Sequence, residues 1–111
     1  MGGCASTPPA AETATPTLAF TLRASDDIEE AYRWYEAQRP GLGGEFEAAL
    51  ELVLRLVRTV PEAGPKVHRE LRRLLVPKFP YSLYYRLGES VIEIRGCLHQ
   101  RRDPRVWRRR A

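Results

Sequence analysis

The spacing of the apolar residues changes once along this chain, and the change limits the folds that it can adopt. Over residues 28–60 the apolar side chains recur with the period of amphipathic helices, interrupted at Pro40. Over residues 67–98 they alternate with other residues, which is typical of strands. A chain of 111 residues has room for one small domain, so the helices and strands must share it. The sequence therefore predicts an α+β fold.

Caps and breakers give the boundaries of the elements. Ser25 can cap the first helix, which must end near Arg39 because Pro40 disfavours helical geometry in the residue before it. The predicted elements are a strand at 18–22, helices at 25–39 and 45–61, and strands at 67–76, 81–87 and 91–98. The expected order is β-α-α-β-β-β, with an antiparallel helical hairpin packed on an antiparallel sheet.

Residues 1–17 are predicted to be a disordered tail, because they contain three prolines and no aromatic residue. Residues 18–111 are predicted to form the single domain. No apolar run approaches the roughly 18 residues that span a bilayer, and no secretory signal pattern is present, so we expect a cytoplasmic protein without a membrane partner. Cys4 and Cys97 belong to no metal-binding motif, so we expect neither a metal site nor a cofactor.

The charged residues divide the chain into an acidic and a basic part. Residues 1–65 contain five Lys/Arg and ten Asp/Glu, a net charge of −5, whereas residues 66–111 contain thirteen and four, a net charge of +9. A basic surface of this density favours a polyanionic partner, either nucleic acid or an acidic protein segment. A basic face that is merely solvated is the alternative.

Strand alternation predicts one sheet face against the helices and one polar, aromatic face. On the polar face we expect Ser82, Tyr84, Arg86, Glu93, Arg95, Cys97 and His99. Ile92, Ile94 and Leu98 are expected on the opposite face. Arginines interleaved with an aromatic side chain suit RNA binding through phosphate contacts and stacking.

His99 beside arginines could act as a general acid or base in phosphodiester cleavage. If the chain is a ribonuclease, the candidate catalytic residues are His99, Arg95 and Arg86. The alternative is a structural histidine that hydrogen-bonds to Asp103 or to the backbone. No phosphate-binding glycine loop, metal-binding carboxylate pair or Ser/His/Asp triad is present, which disfavours nucleotide hydrolysis and metal catalysis.

Three segments, DIEEAYRWYEAQRPGLGGEFEAAL, FPYSLYYRL and HQRRDPRVWRRR, together resemble the RelE/ParE superfamily of bacterial toxins from type II toxin-antitoxin modules, over roughly residues 18–108. The resemblance implies two antiparallel helices on an antiparallel sheet, a plasmid-stabilisation type of toxin, and a cognate antitoxin whose acidic C-terminal segment covers the basic surface. The residues expected to bind the antitoxin or the target are Arg72, Arg73, Tyr84, Arg86, Arg101 and Arg102.

The target within this superfamily is either the ribosome with its mRNA or DNA gyrase. RelE-type members are ribosome-dependent endoribonucleases and carry an arginine after the tyrosine that starts the middle strand, where this chain has Ser82. Loss of that arginine removes charge stabilisation from the scissile phosphate, although Arg86 and Arg95 could substitute. The resemblance therefore favours a ParE-like toxin that inhibits gyrase by binding. A ribonuclease is the alternative, and a non-toxic basic nucleic-acid-binding domain is the third possibility.

Overall fold

Two long helices and one short helix pack against a five-stranded sheet in the computed structural model of the chain, which describes residues 16–111. The elements are β1 (Thr17–Phe20), α1 (Leu22–Gln38), α2 (Leu42–Thr59), β2 (Lys66–His68), β3 (Leu71–Leu75), β4 (Tyr81–Leu87), β5 (Val91–His99) and α3 (Pro104–Arg108). The strand order is β1-β5-β4-β3-β2, in which β1 is parallel to β5 and the other neighbours are antiparallel. The predicted α+β fold with a helical hairpin is confirmed.

The N-terminal end of α1 differs from the prediction. The helix begins one turn before Ser25, because the Oγ1 of Thr21 accepts a hydrogen bond from the Ala24 N–H at 3.1 Å and caps it there. β1 begins at Thr17, the last residue of the predicted tail. Residues 1–15 of that predicted tail lie outside the described residues.

The turn between α1 and α2 is held by the carboxylate of Glu36. It accepts hydrogen bonds from the main-chain N–H groups of Gly41 and Gly43, each at 3.0 Å, and so occupies donors at the start of α2. Gly41 has a φ of 92°, a left-handed conformation that glycine adopts without strain. A Cβ on Gly43 would lie 2.8 Å from the Tyr32 ring, so glycine allows the two helices to approach closely.

The single strand predicted at 67–76 is wrong, since it consists of two antiparallel strands, β2 and β3. The chain reverses at Arg69, whose φ of 54° places it in the left-handed region. Strand alternation did not reveal this turn because Arg69 is not one of the residue types that usually mark such a conformation.

A β-bulge interrupts the pairing of β4 with β5. Tyr84 pairs with Gly96 and Tyr85 pairs with Ile94, so Arg95 is an additional residue in β5. One additional residue moves every later side chain of β5 to the other face of the sheet.

The bulge corrects the predicted faces of β5. Ile92 and Ile94 face the helices as predicted, but Leu98 belongs to the opposite face and Cys97 packs into the helix-side core. His99, which pairs with Tyr81, also lies on the helix side. The prediction that Cys97 and His99 share a face with the polar side chains is therefore wrong.

The sheet has an apolar cluster on each face. The main core lies between the sheet and the α1–α2 hairpin, and its largest fully buried members are Phe46, Leu83, Tyr85 and Ile94. A second cluster lies beneath α3 and comprises Leu71, Tyr84, Leu98, Val67, Val106, Trp107 and Ala111. The expected polar, aromatic face is thus wrong at its centre, which is apolar and buried. Tyr84 is only 1% exposed, because the ring of Trp107 stacks on it at 5.6 Å.

Candidate functional site

The structure places His99 and Arg86 on opposite faces of the sheet. His99 lies on the helix side, where its ring meets that of Tyr81 with centroids 5.3 Å apart. Arg86 is exposed on the other face and pairs in register with Glu93. The sheet therefore separates two of the three residues predicted for a ribonuclease.

Arg95, the third predicted catalytic residue, holds the C-terminal segment. Its Nε donates to the main-chain oxygen of Arg110 at 2.7 Å, and its Nη1 donates to the Glu93 carboxylate at 3.0 Å. A longer contact of 3.4 Å joins Nη2 to the main-chain oxygen of Ala111. These contacts direct the guanidinium toward the last residues of the chain.

The hydrogen bond made by His99 matches the structural alternative. Its Nδ1 accepts from the Arg101 main-chain N–H at 3.1 Å. Asp103 instead caps α3, since its carboxylate accepts from the Arg105 N–H at 2.9 Å and pairs with the Arg105 guanidinium at 2.8 Å. Those hydrogen bonds from Arg105 lower the pKa of Asp103.

Arg72 and Arg73 are adjacent in sequence but lie on opposite faces of β3. Arg72 shares the face of Tyr85 and donates to the main-chain oxygen of Gly64 at 2.8 Å, which holds the loop before β2. The guanidinium of Arg73 lies 5.8 Å from the centre of the Trp107 ring on the other face. Only Arg73 of this pair therefore contributes to the surface around α3.

Cations surround the aromatic side chain at the centre of that surface. Arg108 lies 5.5 Å from the Trp107 ring centre, and Arg73 approaches the same ring. Arg101 and Arg102 are exposed in the turn that leads into α3. We call Arg73, Arg101, Arg102, Trp107 and Arg108 the α3 surface. Sequence reasoning missed Trp107, although a tryptophan within RVWRRR was a visible signal.

A second candidate surface is an apolar groove of about 660 Å³ between α2 and the turn that joins β3 to β4. It is lined by Leu42, Glu45, Ala48, Ala49, Leu52, Pro77, Lys78 and Phe79. Leu52 is 58% exposed beside it. The sequence contained a signal for this groove, because Leu52 lies outside the buried stripe of α2.

The Cys97 thiol is buried beside the main core. Burial, and secondarily the carboxylate of Asp27, raise the pKa of Cys97 to about 12. A thiol that stays protonated is a poor nucleophile, so Cys97 serves as a small core residue. Within residues 16–111 no cluster of three His, Cys, Asp or Glu side chains could hold a metal ion, and no helix there is both long and apolar enough to cross a membrane.

Comparisons with known proteins agree with this architecture. A model of the family described as ParE toxin of type II toxin-antitoxin system, parDE, matches residues 18–104. A solved structure of the chromosomal ParDE TA system from P. aeruginosa has a similar fold, with a TM-score of 0.68 and 19% sequence identity over 77% of this chain and 96% of that chain. No curated protein matches the chain in sequence.

Proposed function

We propose that this chain, which belongs to the ParE toxin family of type II toxin-antitoxin systems, arrests growth by binding DNA gyrase and is neutralised by a cognate acidic antitoxin. Family membership supports the toxin role. The proposals that go further are the identity of the target and the way in which the antitoxin binds.

The sheet separates His99 from Arg86, and this separation is the observation that favours inhibition by binding over catalysis. Phosphodiester cleavage needs a proton-transfer group and a cation at the same phosphate. Here His99 lies on the helix side, Arg86 lies on the other face, and Arg95 is occupied by the C-terminal segment. Ser82, at the position of the nuclease arginine, is buried. This arrangement favours inhibition by binding over ribonuclease activity.

The α3 surface is the proposed contact with gyrase. Tryptophan and arginine are the residues most enriched among those that dominate binding energy at interfaces. Trp107 is positioned by its stack on Tyr84 and is flanked by Arg73 and Arg108, so its geometry is set before a partner arrives. Arg101 and Arg102 extend the positive charge along the same stretch of chain.

The groove beside α2 is the proposed contact with the antitoxin. An amphipathic acidic segment would bury apolar side chains against Leu52 and Phe79 and place carboxylates near Lys78. Leu75 is exposed at the end of β3 on the face of Arg73, and it precedes the groove residue Pro77 by two positions, so it offers a path between the two surfaces. A segment that follows this path around β3 would contact both surfaces. Arg72 is not part of this proposal, because it holds the loop at Gly64.

A paired assay on one preparation of the purified chain tests the target. DNA supercoiling by gyrase and cleavage of mRNA on translating ribosomes are measured over the same range of toxin concentrations. We expect inhibition of supercoiling without cleavage of mRNA. Cuts in translated mRNA with normal gyrase activity would instead support the ribonuclease. Unimpaired growth on expression, with both assays negative, would support a non-toxic nucleic-acid-binding domain.

A further inference from the structure

A cleft of about 540 Å³ lies between the start of α1 and the last residues of the chain, apart from the α2 groove. It is lined by Thr21, Leu22, Arg23, Arg95, Arg109 and Arg110. Four of these six residues are arginines. Arg23 and Arg109 are exposed and make no ion pair that the structure records, so their charges are available to a ligand.

The N-terminus of α1 opens into this cleft. The first main-chain N–H groups of a helix have no acceptor within it and carry partial positive charge. Thr21 accepts from the Ala24 and Ser25 N–H groups through its Oγ1 and its carbonyl oxygen, which leaves the N–H groups of Leu22 and Arg23 at the cleft. No acidic residue lies in the first turn to neutralise them.

Arg110 provides an observation that is independent of the helix terminus. Its side chain is 10% exposed, and its Nη atoms bind Asp27 at 2.8 and 3.4 Å. Its Nε is buried and has no hydrogen-bond partner within residues 16–111. Buried donors are almost always paired, and within residues 16–111 this Nε is the exception among buried side-chain nitrogens and oxygens, in a residue that lines the cationic cleft.

We propose that this cleft binds a phosphate group. Arginine and a helix N-terminus are both common ligands of phosphate, and a tetrahedral group offers more acceptor oxygens than a planar carboxylate. The donors here approach from two sides, with Leu22 and Arg23 on the helix and Arg109 and Arg110 on the C-terminal segment. The phosphate could belong to a small molecule or to a nucleic-acid backbone. The proposal does not depend on the target of the toxin.

The first test is an NMR titration of the purified chain with inorganic phosphate, followed at the main-chain amides of Leu22 and Arg23. Acetate serves as the carboxylate control. We expect saturable shifts with phosphate and much weaker ones with acetate. The double variant R23Q/R109Q should weaken phosphate binding about tenfold or more, because each charge-assisted hydrogen bond contributes more than a neutral one.

The matched control is the double variant R55Q/R58Q, which removes the same charge from exposed arginines on α2. It should leave phosphate binding within about twofold of the unmodified chain, since long-range charge is screened by salt. Equal loss in the two double variants would overturn the proposal, because the effect would then be one of net charge. Equal affinity for acetate and phosphate would also overturn it.

The second test identifies the source of the phosphate by fluorescence anisotropy with a short DNA duplex. If R23Q/R109Q weakens duplex binding more than R55Q/R58Q does, the ligand is a phosphodiester backbone. If only the binding of inorganic phosphate is lost, the ligand is a small phosphate compound. If neither ligand distinguishes the two double variants, the cleft is not a phosphate site. The supercoiling assay is repeated on R23Q/R109Q. It shows whether loss of phosphate binding also changes the inhibition of gyrase, so a failure of the phosphate proposal can be distinguished from a failure of the proposed function.

Discussion

Asp27 and Arg110, 83 positions apart in the chain, form an ion pair of 2.8 Å in which the two side chains are only 12% and 10% exposed. The same Asp27 oxygen accepts the main-chain N–H of Cys97 at 3.1 Å, just after the bulge. Arg110 also donates to the main-chain oxygen of Arg95 at 2.9 Å. One carboxylate thus joins the first helix, the bulged strand and the last residues of the chain.

Replacement of Asp27 by alanine is expected to lower the free energy of unfolding by about 3 to 5 kcal/mol, because it leaves the charge of Arg110 buried without a partner. Glu29→Ala is the control, since its ion pair with Arg33 is exposed and should contribute under about 1 kcal/mol. Urea unfolding followed by circular dichroism measures both. Similar losses in the two variants would contradict a structural role for the buried pair.

Trp107→Ala is expected to destabilise the chain by about 2 to 4 kcal/mol, because it uncovers Tyr84 and the cluster beneath α3. Trp34→Ala is the matched control. Trp34 is 57% exposed on α1, so its replacement should cost under about 1 kcal/mol. Urea titrations of both variants provide the comparison. If the cost at Trp34 equals that at Trp107, α3 does not seal a second core.

Cys97 is expected to resist alkylation at pH 8 while the chain is folded. Its pKa of about 12 leaves almost no thiolate at that pH. The thiol ionises first in the unfolded chain, so stability should decline as pH rises from about 9 toward 12. A Cys4→Ser variant makes Cys97 the reporter, and a thiol reagent measures its reaction with and without urea. Rapid reaction in the folded state would show that the site is open.

His99→Ala is expected to leave the inhibition of supercoiling within about twofold of the unmodified toxin. The His99 ring lies against Tyr81 on the helix side, and its hydrogen bond to the α3 surface comes from the Arg101 main-chain N–H, so the arginine side chains stay unchanged. The double variant R101E/R102E should reduce inhibition by about tenfold or more, since charge reversal at an interface opposes association. Dose–response curves with purified gyrase measure both effects. Loss of inhibition in His99→Ala with no change in R101E/R102E would contradict the α3 surface as the contact with gyrase.

Leu52→Asp is expected to weaken the antitoxin complex by about tenfold or more, because it puts a charge into the apolar groove and opposes an acidic partner. Leu22→Asp is the control, since Leu22 is exposed away from that groove. The acidic protein encoded beside the toxin is co-expressed, co-purified and titrated by calorimetry. Unchanged affinity in Leu52→Asp would place the antitoxin elsewhere.

Residue periodicity was enough to predict the class of the fold and much of its secondary structure. The helical period of residues 28–60 and the alternation after residue 67 correspond to the α1–α2 hairpin and the sheet. β4 spans Tyr81–Leu87 as predicted, and its alternate side chains face the helices as expected. These features depend on neighbouring residues along the chain, so a periodic pattern is sufficient to predict them.

Which candidate residues contact each other depends on how distant segments of the chain pack together. The additional residue Arg95 becomes a bulge only when β5 pairs with β4, and the bulge moves His99 to the helix side. Likewise, Tyr84 becomes buried only because Trp107, 23 residues later, folds back over it. Both outcomes arise from contacts between segments that are distant in sequence. Alternation within one strand carries no information about such contacts, because it describes a strand without its neighbours.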